Sequence, residues 1–322
     1  MRIFVTGGNG FIGSAVVRKL AAQGHHVRCL LRDTSDTARI SGVAFERVPG
    51  DVRDAASVSA GAAGCDGILH LASLSNWNDI HSPQMHDVVI GGSRNVLDAA
   101  RAHGDVRTVF VSSIIAVNGT EDPVVQDEDS ECTLPLHKLV YAQSKREVES
   151  MCRAAAGKGL PVTIVNPAEV YGPDDTALIT AGNLIDFAKS SPVLVPSGGT
   201  SVVYVEDVAD GIIAALERGR PGERYILGGE NLSIKQLAEL TLELLGQKKK
   251  IMLLPNGLIR GVARVGSALR IPLPFNPAVI PYATLYWFMD NGKARRDLGV
   301  SFRSAREALA PTIEWLKSSG RV

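Results

Sequence analysis

The sequence predicts an α/β fold: a doubly wound, mostly parallel sheet with helices on both faces, joined to a smaller, mixed C-terminal lobe. Three observations predict it. Strand-like and helix-like patterns alternate through the first half of the 322 residues. The first apolar run leads straight into a turn with glycines at i, i+3 and i+6, Gly7, Gly10 and Gly13, and then into a helix. Beyond Gly172 the alternation loosens into short helices with proline-rich connections.

Ile3, Phe4 and Val5 have the β propensity of a first strand. Phe11 to Gln23 reads as a helix with Ile12, Val16, Val17 and Leu20 on one face. Strand, glycine turn and helix together form a dinucleotide-binding fingerprint: Gly7 for the tight turn, Gly10 for close approach to a pyrophosphate, Gly13 for close packing of helix on strand. The helix N-terminus offers amide donors and a positive dipole end to phosphates. Further strands are expected at 27–31, 45–48, 67–72, 108–112 and 161–165, and helices at 88–103 and 139–156. A polar, acidic loop lies between, at 119–131.

Bulk properties exclude several functions. Lys+Arg and Asp+Glu are both 34, so the net charge is zero, which argues against a general nucleic-acid or membrane-surface role. Cys29, Cys65, Cys132 and Cys152 are far apart and form no CxxC, the pattern of a reducing, cytoplasmic setting with no structural metal. The first strand begins where a secretory leader would carry its charges. The apolar stretch 271–289 contains Pro272, Pro274, Pro277 and Pro281 and makes a poor membrane span. His25-His26 and Lys248–Lys250 read as solvated surface, and His70 as a packed strand residue. The Trp77 region and 281–289 read equally well as pocket lining or as lobe packing.

Two constellations carry chemistry. Arg32 and Asp33 follow the second strand, and Arg39 comes seven residues after Arg32. A guanidinium there suits the 2′-phosphate of NADP, whereas a carboxylate suits the 2′-hydroxyl of NAD, so NADP is favoured with NAD left open. Tyr141 and Lys145, at i and i+4 on a helix, share a face. An ammonium beside the phenol lowers its pKa and lets it exchange a proton with an alcohol or carbonyl oxygen. Ser112 and Ser113 stand at the C-terminal end of a strand, the ligand-binding edge of open parallel sheets.

TGGNGFIG at 6–13, Gly50-Asp51, His70-Leu-Ala-Ser73, Ser112-Ser113, Tyr141-x-x-x-Lys145, Asn166-Pro-Ala-Glu-Val-Tyr-Gly-Pro173 and Tyr204-Val-Glu-Asp-Val208 resemble the extended short-chain dehydrogenases/reductases over residues 1 to about 230. The resemblance implies a Rossmann domain at 1–170, with 200–228 returning to it, and a substrate lobe at 171–199 and 229–322. It implies Tyr141 as general acid/base, Lys145 as the residue that binds the nicotinamide ribose and tunes Tyr141, and Ser113 rather than Ser112 as the catalytic serine. Cofactor contacts would come from Gly7, Gly10, Phe11, Ile12, Gly13, Arg32, Arg39, Asp51, Val52, Ala72, Pro167 and Val170. It also implies a homodimer through the helices at 88–103 and 139–156.

VRCLLRD at 27–33 and SSIIAVNG at 112–119 resemble the dihydroflavonol-reductase-like and 3β-hydroxysteroid-dehydrogenase-like branch. The nucleotide-sugar epimerases and dehydratases often carry an arginine before the strand at 203–205, but here the stretch is Gly199-Thr200-Ser201-Val202. Their dehydratases place an acidic pair beside the catalytic hydroxyl, where this chain has Ile114 and Ile115. The expected activity is hydride transfer between NADP(H) and a carbonyl or alcohol carbon of a small, fairly apolar substrate. Sugar-nucleotide epimerisation and a non-catalytic cofactor-bound regulator are the alternatives.

Overall fold

The computed structural model describes residues 1–74, 84–136, 139–269 and 277–322. Its central element is a seven-stranded parallel sheet in the order β3-β2-β1-β4-β5-β6-β10. The strands are β1 (Arg2–Thr6), β2 (His26–Leu31), β3 (Glu46–Pro49), β4 (Gly67–His70), β5 (Arg107–Val111), β6 (Val162–Pro167) and β10 (Arg224–Leu227). Strands β1, β4, β5 and β6 are buried almost throughout, because helices cover both faces of the sheet.

One face carries α1 (Phe11–Ala22) and α6 (Val205–Arg218), with Val16, Val17, Leu20, Val208, Ile212 and Ala215 in its core. The other carries α2 (Ala55–Ala62), α3 (Gly92–Ala102) and α4 (Val140–Ala156), with Val58, Val96, Val148 and Cys152 against Phe4, Ile68 and Phe110.

The second lobe holds a small sheet. In it β11 (Glu230–Ser233), β9 (Gly199–Tyr204) and β13 (Tyr286–Trp287) lie side by side, and β7 (Glu169–Tyr171) also pairs with β9. A separate pair joins β8 (Val193–Pro196) to β12 (Ile251–Leu254). Around them stand α5 (Ala181–Lys189), α7 (Ile234–Leu245), α8 (Asn256–Leu269), α9 (Ile280–Ala283) and α11 (Ala305–Ser318), while α10 (Gly292–Leu298) packs back on α6 and β10 of the central sheet. Ser233 and Ser304 start α7 and α11 with full capping boxes, closed by Gln236 and Glu307.

Three features differ from the sequence reading. Helix α2 has no strong apolar stripe to announce it; it is fixed by Asp54, whose carboxylate accepts from the Ala56 and Ser57 amides at 3.0 and 3.3 Å. The helix expected over 88–103 is divided: a π-helical turn, His86–Gly91, precedes α3, and a side chain at Gly92 would lie 3.0 Å from Val52. The acidic loop is only partly solvated, since Gln126 and Glu128 are buried under β10 and the 286–289 segment. Trp77 lies outside the described residues.

Candidate active site

The glycine turn sits where the sheet order reverses, between β1 and β4, the crevice in which doubly wound sheets bind nucleotides. Gly7 has φ 72°, and a Cβ there would come within 2.7 Å of the Ala72 amide. A Cβ on Gly13 would lie 2.0 Å from the Gly7 carbonyl oxygen, so the helix can approach the strand only with glycine there. A Cβ on Gly10 would meet that same oxygen at 3.2 Å, a tight contact but far less severe than the one at Gly13. No side chain caps α1 and no carboxylate occupies its first turn, which leaves the amides of Phe11, Ile12 and Gly13 to an anionic ligand. Thr6 and Ala72 close the floor: the Ala72 amide donates to Thr6 Oγ1 at 3.3 Å.

At the far end of the crevice the structure separates the two arginines. Arg32 is exposed and close enough to Asp51 to help hold that carboxyl low. Arg39 instead braces the site. Its Nε donates to the Asp174 carbonyl at 2.9 Å, its Nη1 to the Asn9 carbonyl at 3.3 Å, and its Nη2 to Thr176 Oγ1. Arg47, which sequence reasoning passed over, is the second exposed arginine there: its Nη2 donates to the Arg32 carbonyl at 2.7 Å. Only the pairing of β3 with β2 brings it close. Asp51 is gripped by the Arg53 amide, Nε and Nη2 at 2.8–2.9 Å, and this holds its carboxyl below the usual range. The Val52 carbonyl accepts from Asn95 at 2.8 Å.

The second constellation assembles on α4. Tyr141, Lys145 and Glu149 follow one another at four-residue spacing on one face. Lys145 Nζ lies 5.8 Å from the Tyr141 ring centroid and donates to the Val111 carbonyl at 3.2 Å. Burial lowers the Lys145 pKa to about 8, and Glu149 opposes the drop. The Tyr141 phenol is pushed up, by burial first and then by Tyr282. This is the opposite of the depression expected from the Tyr–Lys spacing. The reason is that burial acts on both side chains, and the ammonium is directed to the β5 carbonyl.

Ser112 and Ser113 divide as expected from the strand end. Ser112 Oγ donates to Glu149 Oε1 at 2.7 Å and is buried. Among the described residues the Ser113 hydroxyl has a long contact, 3.4 Å, from the Ile115 amide. Asn166 ties the turn down, with Nδ2 donating to the Ser113 carbonyl at 2.8 Å and to Glu149 Oε1 at 2.6 Å. Arg224, brought in by β10, completes the group: Nη1 donates to Glu149 Oε2 at 3.3 Å, while Nε and Nη2 reach the Glu128 carbonyl at 2.8 and 2.5 Å. Sequence reasoning missed Glu149, Arg224 and Glu128. The only local signal was a carboxylate one turn beyond Lys145.

Residues 3–228 match the family model described as the NAD dependent epimerase/dehydratase family. The chain belongs to that family. It is an NAD(P)-dependent oxidoreductase of the extended short-chain dehydrogenase/reductase type, and relatives on the dihydroflavonol-reductase and 3β-hydroxysteroid-dehydrogenase side bear out that part of the resemblance. It is 31% identical to sterol demethylase protein B of Methylococcus capsulatus, over 100% of both chains. It is 31% identical to the 4-hydroxy-2-methyl-3-oxo-4-farnesyl-3,4-dihydroquinoline-1-oxide ketoreductase of Stigmatella aurantiaca, over 94% of this chain and 92% of that one. Among solved structures, a double mutant of the dTDP-glucose 4,6-dehydratase DesIV from Streptomyces venezuelae, with NAD bound, superposes with a TM-score of 0.77 at 25% identity, over 98% and 97% of the two chains.

The dehydrogenase/reductase crevice fits a dinucleotide on its own geometry, through open α1 amides and a turn that no Cβ could enter at Gly7 or Gly13. Pro167 ends β6 and Val170 lies in β7, both buried. The wall around Tyr141 is apolar: Ile115, Val117, Leu139, Tyr282, Leu285, Trp287 and Met289 form one cluster, and Trp287 stacks on Tyr282 with centroids 6.2 Å apart. The 281–289 stretch therefore packs the lobe and lies against Tyr141.

Proposed function

We propose that this enzyme transfers a hydride between NADP(H) and a carbonyl or alcohol carbon of a small, fairly apolar substrate, with Tyr141 as the proton-transferring residue. The observation that carries this reading is the apolar cluster against which Tyr141 packs. A sugar diphosphate would need cations at the equivalent of 199–203, and every side chain there is buried in β9 without a charge. The ketoreductase relative, whose name gives it a farnesylated ketone, points the same way.

Bound nicotinamide would supply or accept the hydride; the protein handles position and proton. Gly7, Gly10, Gly13 and the Phe11 and Ile12 amides would hold the pyrophosphate. Asp51 and Val52 would flank the adenine, and Arg32 with Arg47 would take the 2′-phosphate. Ala72, Pro167 and Val170 would line the ribose and nicotinamide. Ser113 would donate to the substrate oxygen while Tyr141 gives it a proton. A phenol held above its ordinary pKa is neutral at working pH, which suits the donor role of the reductive direction. Lys145, charged below about pH 8, would stabilise the phenolate left behind. Residues 171–199 and 229–322 form the substrate side in this reading, and two copies pair through α3 and α4.

Tyr141→Phe tests it. NADPH consumption with a panel of apolar ketones should fall by roughly 100- to 10,000-fold while cofactor binding persists. Near-normal turnover in the variant would remove Tyr141 from the reaction. Epimerisation of a sugar nucleotide without net cofactor consumption would replace the reading.

A further inference from the structure

The zero net charge of the chain conceals a local imbalance. Between Glu243 and Asp290 there is no acidic residue, whereas Lys248, Lys249, Lys250, Arg260, Arg264 and Arg270 all fall inside that interval. Helix α8 lies at its centre and is mounted inside out. Two of its polar side chains face the protein: the Asn256 carboxamide exchanges hydrogen bonds with the Ser197 backbone at 2.9 and 2.7 Å. Arg260 donates to Thr284 Oγ1 at 2.9 Å and to Glu121 at 3.0 Å. Leu258, Val262, Val265 and Leu269, at i, i+4, i+7 and i+11, form a single stripe that is 43–65% exposed. At about 100° per residue the stripe lies on the side of the helix opposite Asn256 and Arg260. Ile259 and Ala263, on the flank, are buried against Leu254 and Ile280 and fix the helix in that rotation.

We infer that α8 docks this enzyme on an anionic lipid surface, lying in the interface rather than crossing it. A helix with large apolar side chains on its outer face and cations around it buries that face at the headgroup–acyl boundary and gains from anionic headgroups. Exposed Lys248 and Lys250 stand just before β12, whose Met252 and Leu253 are also exposed, and exposed Arg264 lies about 100° around the helix from Val265, on the Arg260 side. Charge decides between the occupants of such a face. In a two-fold pairing of stripes, each Arg264 would approach a copy of the same acid-free segment, and like charges would oppose the contact. A lid over the substrate would need the stripe to face inward, and the inward side is held by Asn256 and Arg260. A bilayer carrying phosphatidylglycerol is complementary in both respects. The surface stands whatever carbonyl compound the active site takes.

The test is co-sedimentation of the full chain with vesicles of phosphatidylglycerol mixed with phosphatidylcholine, against phosphatidylcholine alone. Binding should be at least about tenfold stronger to the anionic vesicles and should weaken in roughly 0.5 M salt, where charges are screened within a few ångström. Val262→Asp, at the middle of an exposed stripe and remote from the cofactor crevice, should abolish it while leaving NADPH binding and turnover of a soluble ketone unchanged. Arg264→Glu should weaken it without touching the apolar face. Equal partition to both vesicles, or none, overturns the inference. So does a concentration-dependent dimer in light scattering that Val262→Asp dissolves, which would assign the stripe to a second copy. A change in KM for the soluble ketone with unaltered vesicle binding would assign it to the substrate.

Discussion

Glu149 and Arg224 form a buried ion pair beneath the Ser112–Ser113 turn, and losing one partner should be more harmful than its share of losing both. In Arg224→Met the Glu149 carboxylate keeps Ser112, Asn166 and Arg153 but loses the buried guanidinium 3.3 Å away. The Glu128 carbonyl loses both of its guanidinium donors. Removing one member of a buried pair costs about 3–5 kcal/mol, and the half-exposed Arg153 offsets part of it, which places this variant near 3 kcal/mol. Glu149→Gln leaves Arg224 buried and uncompensated, at a similar cost of about 3 kcal/mol. The double variant buries neither charge, so the two single losses should exceed the double by about 2–3 kcal/mol. Urea unfolding of the four proteins measures this coupling. Additivity within about 0.5 kcal/mol would show that the pair is not coupled in the folded protein. The double variant has a second readout. Burial pulls the Lys145 pKa down and Glu149 pushes it up, so without Glu149 the ammonium should lose its proton below about pH 8. The alkaline limb of the reduction rate should then move to lower pH; an unmoved limb would remove Glu149 from the electrostatics of Lys145.

Three further outcomes are expected. Gly13→Ala should lose both cofactor binding and about 1–3 kcal/mol of stability, because its Cβ would lie 2.0 Å from a backbone oxygen. Gly10→Ala, with a single contact at 3.2 Å, should lose cofactor binding with stability nearly intact, and equal destabilisation of the two would contradict the division of roles. His70 is buried between Thr6 Oγ1 at 2.7 Å and Ser93 Oγ at 3.2 Å, and burial first, then Lys145, lowers its pKa to about 3. Its neutral form contributes stability that is complete above the unfolded value of 6.5 and is lost as pH falls from there toward 3, roughly 4–5 kcal/mol in all. His70→Phe should flatten that acid limb in pH-dependent denaturation, and an unchanged slope would refute the assignment. NADPH should bind more tightly than NADH, and Arg32→Ala or Arg47→Ala should weaken NADPH by about tenfold to a hundredfold while sparing NADH. Equal affinity of the wild type for both cofactors, by titration, would give the pocket to Asp33.

The sequence by itself determined the features whose causes lie within a few residues. The β1–glycine–α1 unit follows from strand propensity, from a turn that only glycine can make at Gly7, and from the 3.6-residue stripe of Val16, Val17 and Leu20. The same helical geometry puts Tyr141 and Lys145 on one face from their spacing alone. Tertiary structure decided whatever depended on burial and on partners far along the chain. It laid Arg47 beside Arg32 through β3 and set the Arg39 guanidinium between the glycine turn and the 174–176 loop. It raised the Tyr141 phenol, because desolvation depends on what packs around the ring and not on the residue four positions away. It brought Arg224 to Glu149 across 75 residues by returning β10 to the sheet edge. It also turned α8 so that its apolar stripe faces outward: the pattern marks two faces on a helix, but only the groups waiting at Ser197, Thr284 and Glu121 choose which one is turned to the core.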